Sequence, residues 1–350
     1  MMRGIRMGRT ARRLGSVACI ASVVAAATLA RRRRLANLPS FTGKVVFITG
    51  GSRGLGLALA EQFLREGAHV AIAARDPAEL AKAKLHLSML KREPGSIVLD
   101  VICNVTDPSS VGAAVGTVEH NLGPIDVLVN NAGIMAVAPW VNQSKSHFEE
   151  AVNTNFYGAM HTTFAILPGM LEHRKGSIVN IASIGGLVAV PHMLPYTASK
   201  FALVGFSRGL HAEVKSRGVN VLTVCPWLMR TGSHIHAKVS GKKDAEYGWF
   251  GLGATLPLVA VTAQVAARRI VKATAKGKSE LLISGWALIA SKIAANAPTW
   301  TASFLSLVNQ ALPSARPLSG DAQAEGQDIQ GAARLLPNAL GKSAELRWNQ

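Results

Sequence analysis

The sequence predicts an α/β fold built on one parallel, doubly wound sheet of seven strands. Three observations carry this. Short apolar runs alternate with helix-period segments between residues 44 and 283. The first of these runs ends in a glycine-rich turn, Gly50-Gly51-Ser52-Arg53-Gly54-Leu55-Gly56, that opens into a helical pattern. The composition supports a large core, with 49% apolar and 17% charged residues among 350, and excludes global disorder.

In order, strands are expected at Lys44 to Thr49, His69 to Ala74, Ser96 to Cys103, Asp126 to Val129, Ser177 to Ala182, Asn220 to Cys225 and Ser279 to Ile283. Each is a short, mostly apolar run, as strands covered on both faces require. Between them, helical patterns run over Leu57 to Glu66, Glu79 to Lys91, Ser109 to Asn121, His147 to His173, Pro195 to Ser216 and Thr262 to Ala275. No internal repeat is visible beyond this alternation. The folded domain is expected over residues 41–285.

Strand, glycine turn and helix form the context in which a glycine motif means something. Gly50 permits the tight turn, and Gly54 and Gly56 let a pyrophosphate approach the backbone at a helix N-terminus, where free N–H groups and the dipole favour anions. Arg75 follows directly after the second strand, about 20 residues on. An acid there would hold a ribose 2′-hydroxyl, whereas an arginine accommodates a 2′-phosphate. Arg53 supplies a second cation, and the pair points to NADP(H).

Tyr196 and Lys200 stand four residues apart behind Pro195, which suits the first turn of a helix and puts both side chains on one face. A free phenol has a pKa of about 10. A neighbouring ammonium favours the phenolate and brings the tyrosine toward general acid–base work. Ser183 leaves the fifth strand thirteen residues upstream, where its hydroxyl can hold a substrate oxygen. Alone, a Tyr-x-x-x-Lys spacing is a common helix surface.

Taken together, Thr49-Gly50…Gly54…Gly56, Asn130-Asn131-Ala132-Gly133, Asn155, Ser183 and Tyr196…Lys200 resemble the short-chain dehydrogenase/reductase family, over roughly two-thirds of the chain. The resemblance implies a Rossmann-type sheet and an NADP(H)-linked carbonyl reductase or alcohol dehydrogenase. It makes Tyr196 the general acid or base and Lys200 the group that lowers its pKa and binds the nicotinamide ribose. Ser183 orients the carbonyl, and Asn155 holds a water linking Lys200 to solvent. The cofactor residues it implies are Gly50, Ser52, Arg53, Gly54, Leu55, Gly56, Arg75, Asn104, Val105, Asn130, Ala132, Gly133, Tyr196, Lys200 and Thr231. Two positions depart from the family: Asn104 where Asp is usual, and Trp227 where Gly usually follows the proline. A homodimer or homotetramer is the expected assembly. A non-catalytic NADP(H)-binding membrane protein is the alternative, should the Trp227 indole fill the nicotinamide subsite.

Half of the net charge of +18 lies in the first 40 residues, which hold nine arginines and no acid, leaving +9 for the other 310. No basic, aromatic-interleaved stretch follows, which argues against a nucleic-acid partner. Leu14 to Ala30 is uncharged and would span roughly 25 Å as a helix, the lower limit for a bilayer. Residues 1–40 read best as a membrane anchor, with a cleaved signal or an organelle presequence as competing readings. The catalytic domain is then expected to face the cytoplasm. Three separated cysteines suggest no disulfide framework or zinc site. His192, His234 and His236 fall in expected loops with no carboxylate cluster beside them in sequence, so no metal is expected. The stretch Trp227 to Leu258 reads as a substrate lid whose apolar, aromatic content suggests a lipophilic substrate. Residues 286–312 read as an apolar helical extension, either covering the substrate cleft, the preferred reading, or touching a membrane surface. Residues 313–350, rich in Gly, Ala, Ser and Gln, read as a poorly ordered tail.

Overall fold

The computed structural model describes residues 40–90, 95–256, 260–315, 323–329 and 342–349. The expected leader, residues 1–39, lies outside them. Seven parallel strands form the main sheet: β1 (Val45–Thr49), β2 (His69–Ala74), β3 (Val98–Ile102), β4 (Val127–Asn130), β5 (Gly176–Ile181), β6 (Val219–Pro226) and β7 (Glu280–Ile283). Their order is β7-β6-β5-β4-β1-β2-β3. The order reverses between β1 and β4, and in open α/β sheets the crevice beyond the strand ends at such a switch is where ligands bind. The loops after β1 and β4 are Gly50 to Arg53 and Asn131 to Gly133.

Strand periodicity divides the core between the two faces. Val46 and Ile48 pack with Leu57, Phe63 and Ile270 under helices α1 (Gly54–Arg65) and α8 (Ala263–Ala275). Val45 and Phe47 face the other way, against Val118, Leu128 and Ile178 beneath α3 (Pro108–Leu122) and α5 (Gly158–Glu172). Fully burying each such side chain contributes about 1.5–3 kcal/mol.

The remaining helices of the first half are α2 (Pro77–Ser88), capped by Asp76, and α4 (Lys145–Val152), capped by Ser144. The single helix expected over His147 to His173 is instead α4 and α5 joined by a π-helical turn, Asn153–Tyr157. Such a turn inserts one extra residue and often marks a functional site; here it buries Asn155. Helix α6 (Leu194–Val214) carries the Tyr/Lys pair. The expected lid contains α7 (Lys243–Thr255), whose three glycines hid it from a propensity reading.

One expectation for the C-terminal part does not hold. Helices α9 (Gly285–Asn296) and α10 (Pro298–Ala311) do form, but between them bury only Ala287, so they are not packed as a cover. Part of the described tail is packed on the domain, although residues 314–315, 327–328, 342–343 and 346–347 are exposed. Ala324–Glu325 pair antiparallel with Lys238–Val239 in the lid. Residues 342–347 are helical. Trp348 is only 2% exposed and joins the core cluster beneath α1 and α8. Its carbonyl accepts from Gly54 N–H at 2.9 Å, and Asn349 Nδ2 donates to Ser52 O and Glu79 O. Low-complexity composition concealed one large anchor. Residues 316–322, 330–341 and 350 lie outside the described set.

Candidate active site

The four expected catalytic residues meet at the C-terminal edge of the sheet. Ser183 follows β5 and accepts from Gly185 N–H at 3.0 Å. A side chain at Gly185 would stand 3.2 Å from Tyr196 Cε1 and 3.5 Å from Ser183 Oγ, so this glycine is what lets the serine and the phenol ring share one site. Lys200, one turn along α6, is buried; its Nζ donates to Ile181 O at 2.8 Å and lies 5.8 Å from the centre of the Tyr196 ring. A Cβ at Gly133 would sit 2.9 Å from Asn155 Oδ1 and 3.6 Å from Lys200 Nζ, which places the loop after β4 against both. Asn155 uses its amide fully: Oδ1 accepts from Ile134 N–H at 2.8 Å, and Nδ2 donates to Ile134 O at 3.1 Å and Ser199 Oγ at 2.9 Å. It splints that loop to α6 through the π turn.

The electrostatics modify the sequence expectation. Burial pushes the Tyr196 phenol above its ordinary value, opposed by a hydrogen bond with the Ser183 side chain and reinforced slightly by Cys225. The expected lowering by Lys200 is not what dominates the chain's own site, because desolvation wins. Lys200 itself is lowered to about 8 by burial, with Cys225 opposing. Its ammonium therefore gives up its proton more readily than an exposed lysine does. Beside it the Cys225 thiol is pushed up to about 12 by burial, which keeps it inert.

A model of the short chain dehydrogenase family matches residues 44–239. The chain belongs to that family. It is 35% identical over 209 residues to a ketoacyl reductase, HetN, of Nostoc sp., covering 59% of this chain and 71% of that one. It is 34% identical over 189 residues to a 3-oxoacyl-[acyl-carrier-protein] reductase of Vibrio harveyi, covering 54% and 75%. The fold matches a crystal structure of a short-chain dehydrogenase from Streptomyces avermitilis with a TM-score of 0.63 at 28% identity, over 76% of this chain and 97% of that one. This short-chain dehydrogenase is an oxidoreductase acting on hydroxyl or keto groups, and its family uses NAD(P)(H).

The glycine turn fits a dinucleotide. Gly50 has φ 62°, and a Cβ there would stand 2.9 Å from Ala132 Cα. A Cβ at Gly56 would collide with the Gly50 carbonyl. The two loops thus close on each other around the Asn131 amide, with no room for a side chain at Gly50 or Gly56, and the turn opens into the N-terminus of α1, where main-chain N–H groups favour an anion. Thr49 and Asn131 tie them together: Thr49 Oγ1 accepts from Asn131 N–H and Ala132 N–H, and Asn131 Nδ2 donates to Gly50 O.

Not every expected cofactor residue offers its side chain. Asn130 is buried, donating to Asn180 Oδ1 at 2.8 Å and accepting from Thr162 Oγ1 at 2.6 Å, so its amide pins β4 to β5 and α5. Asn104 turns into its own loop, accepting from Thr106 N–H and Oγ1. Val105 is buried against Gly158. Thr231 is buried and donates to Ser233 Oγ. Leu55 and Ala132 line the turn by backbone position. In the phosphate corner Arg53 pairs with Glu79 at 2.8 Å, and Ser52 Oγ donates to the same carboxylate at 3.0 Å. Arg75 is exposed, with no ion pair among the described residues.

Sequence reading missed Glu246 and Trp249. His192, four residues before Tyr196, holds a left-handed φ of 63°. Its Nδ1 lies 2.9 Å from both oxygens of the fully buried Glu246 carboxylate, to which Trp249 Nε1 also donates at 2.8 Å. This ties α7 to the loop that enters α6. The other two histidines each face a single carboxylate, His234 opposite Glu345 and His236 opposite Glu325. The partners lie 54 to 111 residues away in sequence and were invisible to local pattern. No group of three metal-ligating side chains occurs among the described residues. The Tyr196 ring packs against an apolar cluster of Val137, Met193, Ala237 and Phe250, on which Val190 and Trp249 also pack. Trp227 Nε1 is buried without a hydrogen-bond partner.

Proposed function

We propose that this dehydrogenase is an NADP(H)-dependent carbonyl reductase or alcohol dehydrogenase acting on a lipophilic ketone or alcohol. The observation that carries it is the convergence of Ser183, Tyr196 and Lys200 on one side of Gly185 and Gly133. In the reductive direction Ser183 holds the carbonyl oxygen. Tyr196 Oη gives that oxygen its proton as the carbon gains hydride, and Lys200 restores the phenol's proton. In the oxidative direction the same proton returns to Tyr196. The dinucleotide supplies or takes the hydride, and the chain supplies position and the proton.

Three features support the finer choices. The acid nearest the end of β2, Asp76, is spent capping α2 through Ala78 N–H and Glu79 N–H, which leaves Arg75 for a 2′-phosphate, with Arg53 joining it on release from Glu79. The apolar cluster against Tyr196 favours a lipophilic substrate. The arginine-flanked run at residues 14–30 favours a membrane-held protein with its catalytic domain in the cytoplasm, and the family resemblance favours a homodimer or homotetramer. The test is NADPH and NADH oxidation with medium- and long-chain ketones. Activity with NADPH that is lost in Tyr196→Phe supports the reading; no turnover by the wild type beyond that variant defeats it.

A further inference from the structure

Helices α9 and α10 expose Trp286 (60%), Ile289, Ile293, Trp300 (57%), Phe304 and Leu307 (61%). Trp300 and Phe304 stack at 5.4 Å on α10, a helix with no fully buried residue against the other described residues. Helices of 12 and 14 residues are marginal alone in water and normally depend on burying an apolar face. Each of these half-exposed side chains forgoes part of the about 1.5–3 kcal/mol that full burial contributes, and exposed apolar side chains grouped on neighbouring helices mark interaction surfaces.

Three observations say what covers it. From Leu281 to Ala315 the only charged residue is Lys292, and there is no acid. Such a surface offers a protein partner almost nothing for ion pairing or orientation, whereas hydrocarbon requires that lack of charge. Tryptophan suits the boundary between headgroups and acyl chains, having an apolar body and one N–H donor, and each helix carries one. Neither helix is long enough to cross a bilayer, which leaves lying in its surface. Topology adds a reason for the placement. In β7, Ile283 stands opposite Pro226, and its carbonyl accepts from Trp227 N–H at 3.5 Å. The pair therefore leaves the sheet at its C-terminal edge, the edge that carries Ser183 and the lid.

We propose that α9 and α10 seat in the headgroup–acyl boundary of a phospholipid bilayer, a contact distinct from any made by residues 1–39. The seating presents the catalytic edge of the sheet to the lipid from which an apolar substrate enters. The contact stands on the helices alone; the delivery role rests on the carbonyl-reductase reading.

The test uses the full chain carrying Cys19→Ser, since Cys103 and Cys225 are buried. Leu307→Cys, at an exposed site, receives an environment-sensitive fluorophore. Leu85→Cys, 63% exposed on α2, is the control. Both proteins are floated with phosphatidylcholine–phosphatidylglycerol vesicles whose acyl chains are plain or brominated. The expected result is a blue shift and at least a twofold quench at position 307 by brominated chains, with no quench at 85. Trp300→Ser/Phe304→Ser should abolish the quench while leaving turnover of a small water-soluble ketone unchanged. Failure to float, or flotation with position 307 still in water, overturns the proposal; the latter outcome assigns the membrane contact to residues 1–39. A blue shift without vesicles also overturns it, showing a second copy if it rises with protein concentration and residues 14–30 if it does not. No arm depends on turnover for its main readout, so failure of the enzymatic reading is seen separately.

Discussion

Tyr196 and Lys200 at one end of the crevice and Arg53 and Arg75 at the other are finished differently. At the catalytic end three side chains have fixed main-chain partners: Lys200 on Ile181 O, Asn155 on the Ile134 peptide, and Ser183 on Gly185 N–H. Those partners are neutral backbone groups, so the site is positioned without its charge being cancelled. In the phosphate corner the partner is a carboxylate. Glu79 holds both Arg53 and Ser52, so the proposed 2′-phosphate would displace an ion pair to reach Arg53. Rigid positioning by neutral groups suits a proton transfer that requires geometry within tenths of an ångström. An exchangeable ion pair suits a group that binds and leaves on every turnover.

The largest expected effect tests the catalytic end. Tyr196→Phe keeps the ring against Gly185 and removes the proton, and kcat should fall by about 10²–10⁴-fold with the KM for NADPH nearly unchanged. A comparable rise in that KM would break the contrast, since the tyrosine would then be holding the cofactor as well. The phosphate corner comes next. Arg75→Ala removes a charge-assisted contact of about 1.5–3 kcal/mol, so kcat/KM with NADPH should drop by about 10–100-fold while that with NADH stays level. Glu79→Gln should instead lower the KM for NADPH by freeing Arg53. Equal effects on both dinucleotides would remove the 2′-phosphate from the corner.

A third experiment sharpens the difference through pH. Lys200 is lowered to about 8 in the fold, whereas an unfolded lysine titrates near 10.4. Between those values the unfolded chain binds more protons, so this residue's contribution to stability rises with pH from about 8 toward 10. Below 8 its burial penalty is complete. The Tm of wild type relative to Lys200→Met should therefore increase across that window, measured by calorimetry at fixed ionic strength. The cysteines oppose the trend from about pH 9, but they are common to both proteins. A flat difference would show that the ammonium is not desolvated.

Legibility in the sequence followed range. All seven strands and the Tyr196/Lys200 helix were readable because each is a local pattern of apolar period and turn residues. The strand order, the placement of Gly133 beside Lys200, and the pairing of His192 with Glu246 depend on contacts between distant segments. Asn130 shows a subtler limit. Its place in the motif was legible, but only the structure reveals an amide spent on Asn180 and Thr162 inside the core. The π turn around Asn155 was hidden because one inserted residue does not disturb an apolar helical pattern.

The smallest expected effect concerns the C-terminal anchor. Asn349→Ala removes two hydrogen bonds to the backbone around the cofactor turn and should raise the KM for NADPH by a few-fold at most, with kcat intact; stopped-flow cofactor binding would resolve it. That anchor has a temporal consequence. Asn349 reaches Ser52 across 297 positions of sequence, so the turn that receives the cofactor leaves the ribosome well before its outer support does. Throughout synthesis Gly54 lacks its Trp348 acceptor. The order of translation therefore separates making the nucleotide fold from bracing it, and a chain interrupted before residue 342 would hold Asn155, Ser183, Tyr196 and Lys200 but leave the Gly50 to Gly56 turn unbraced.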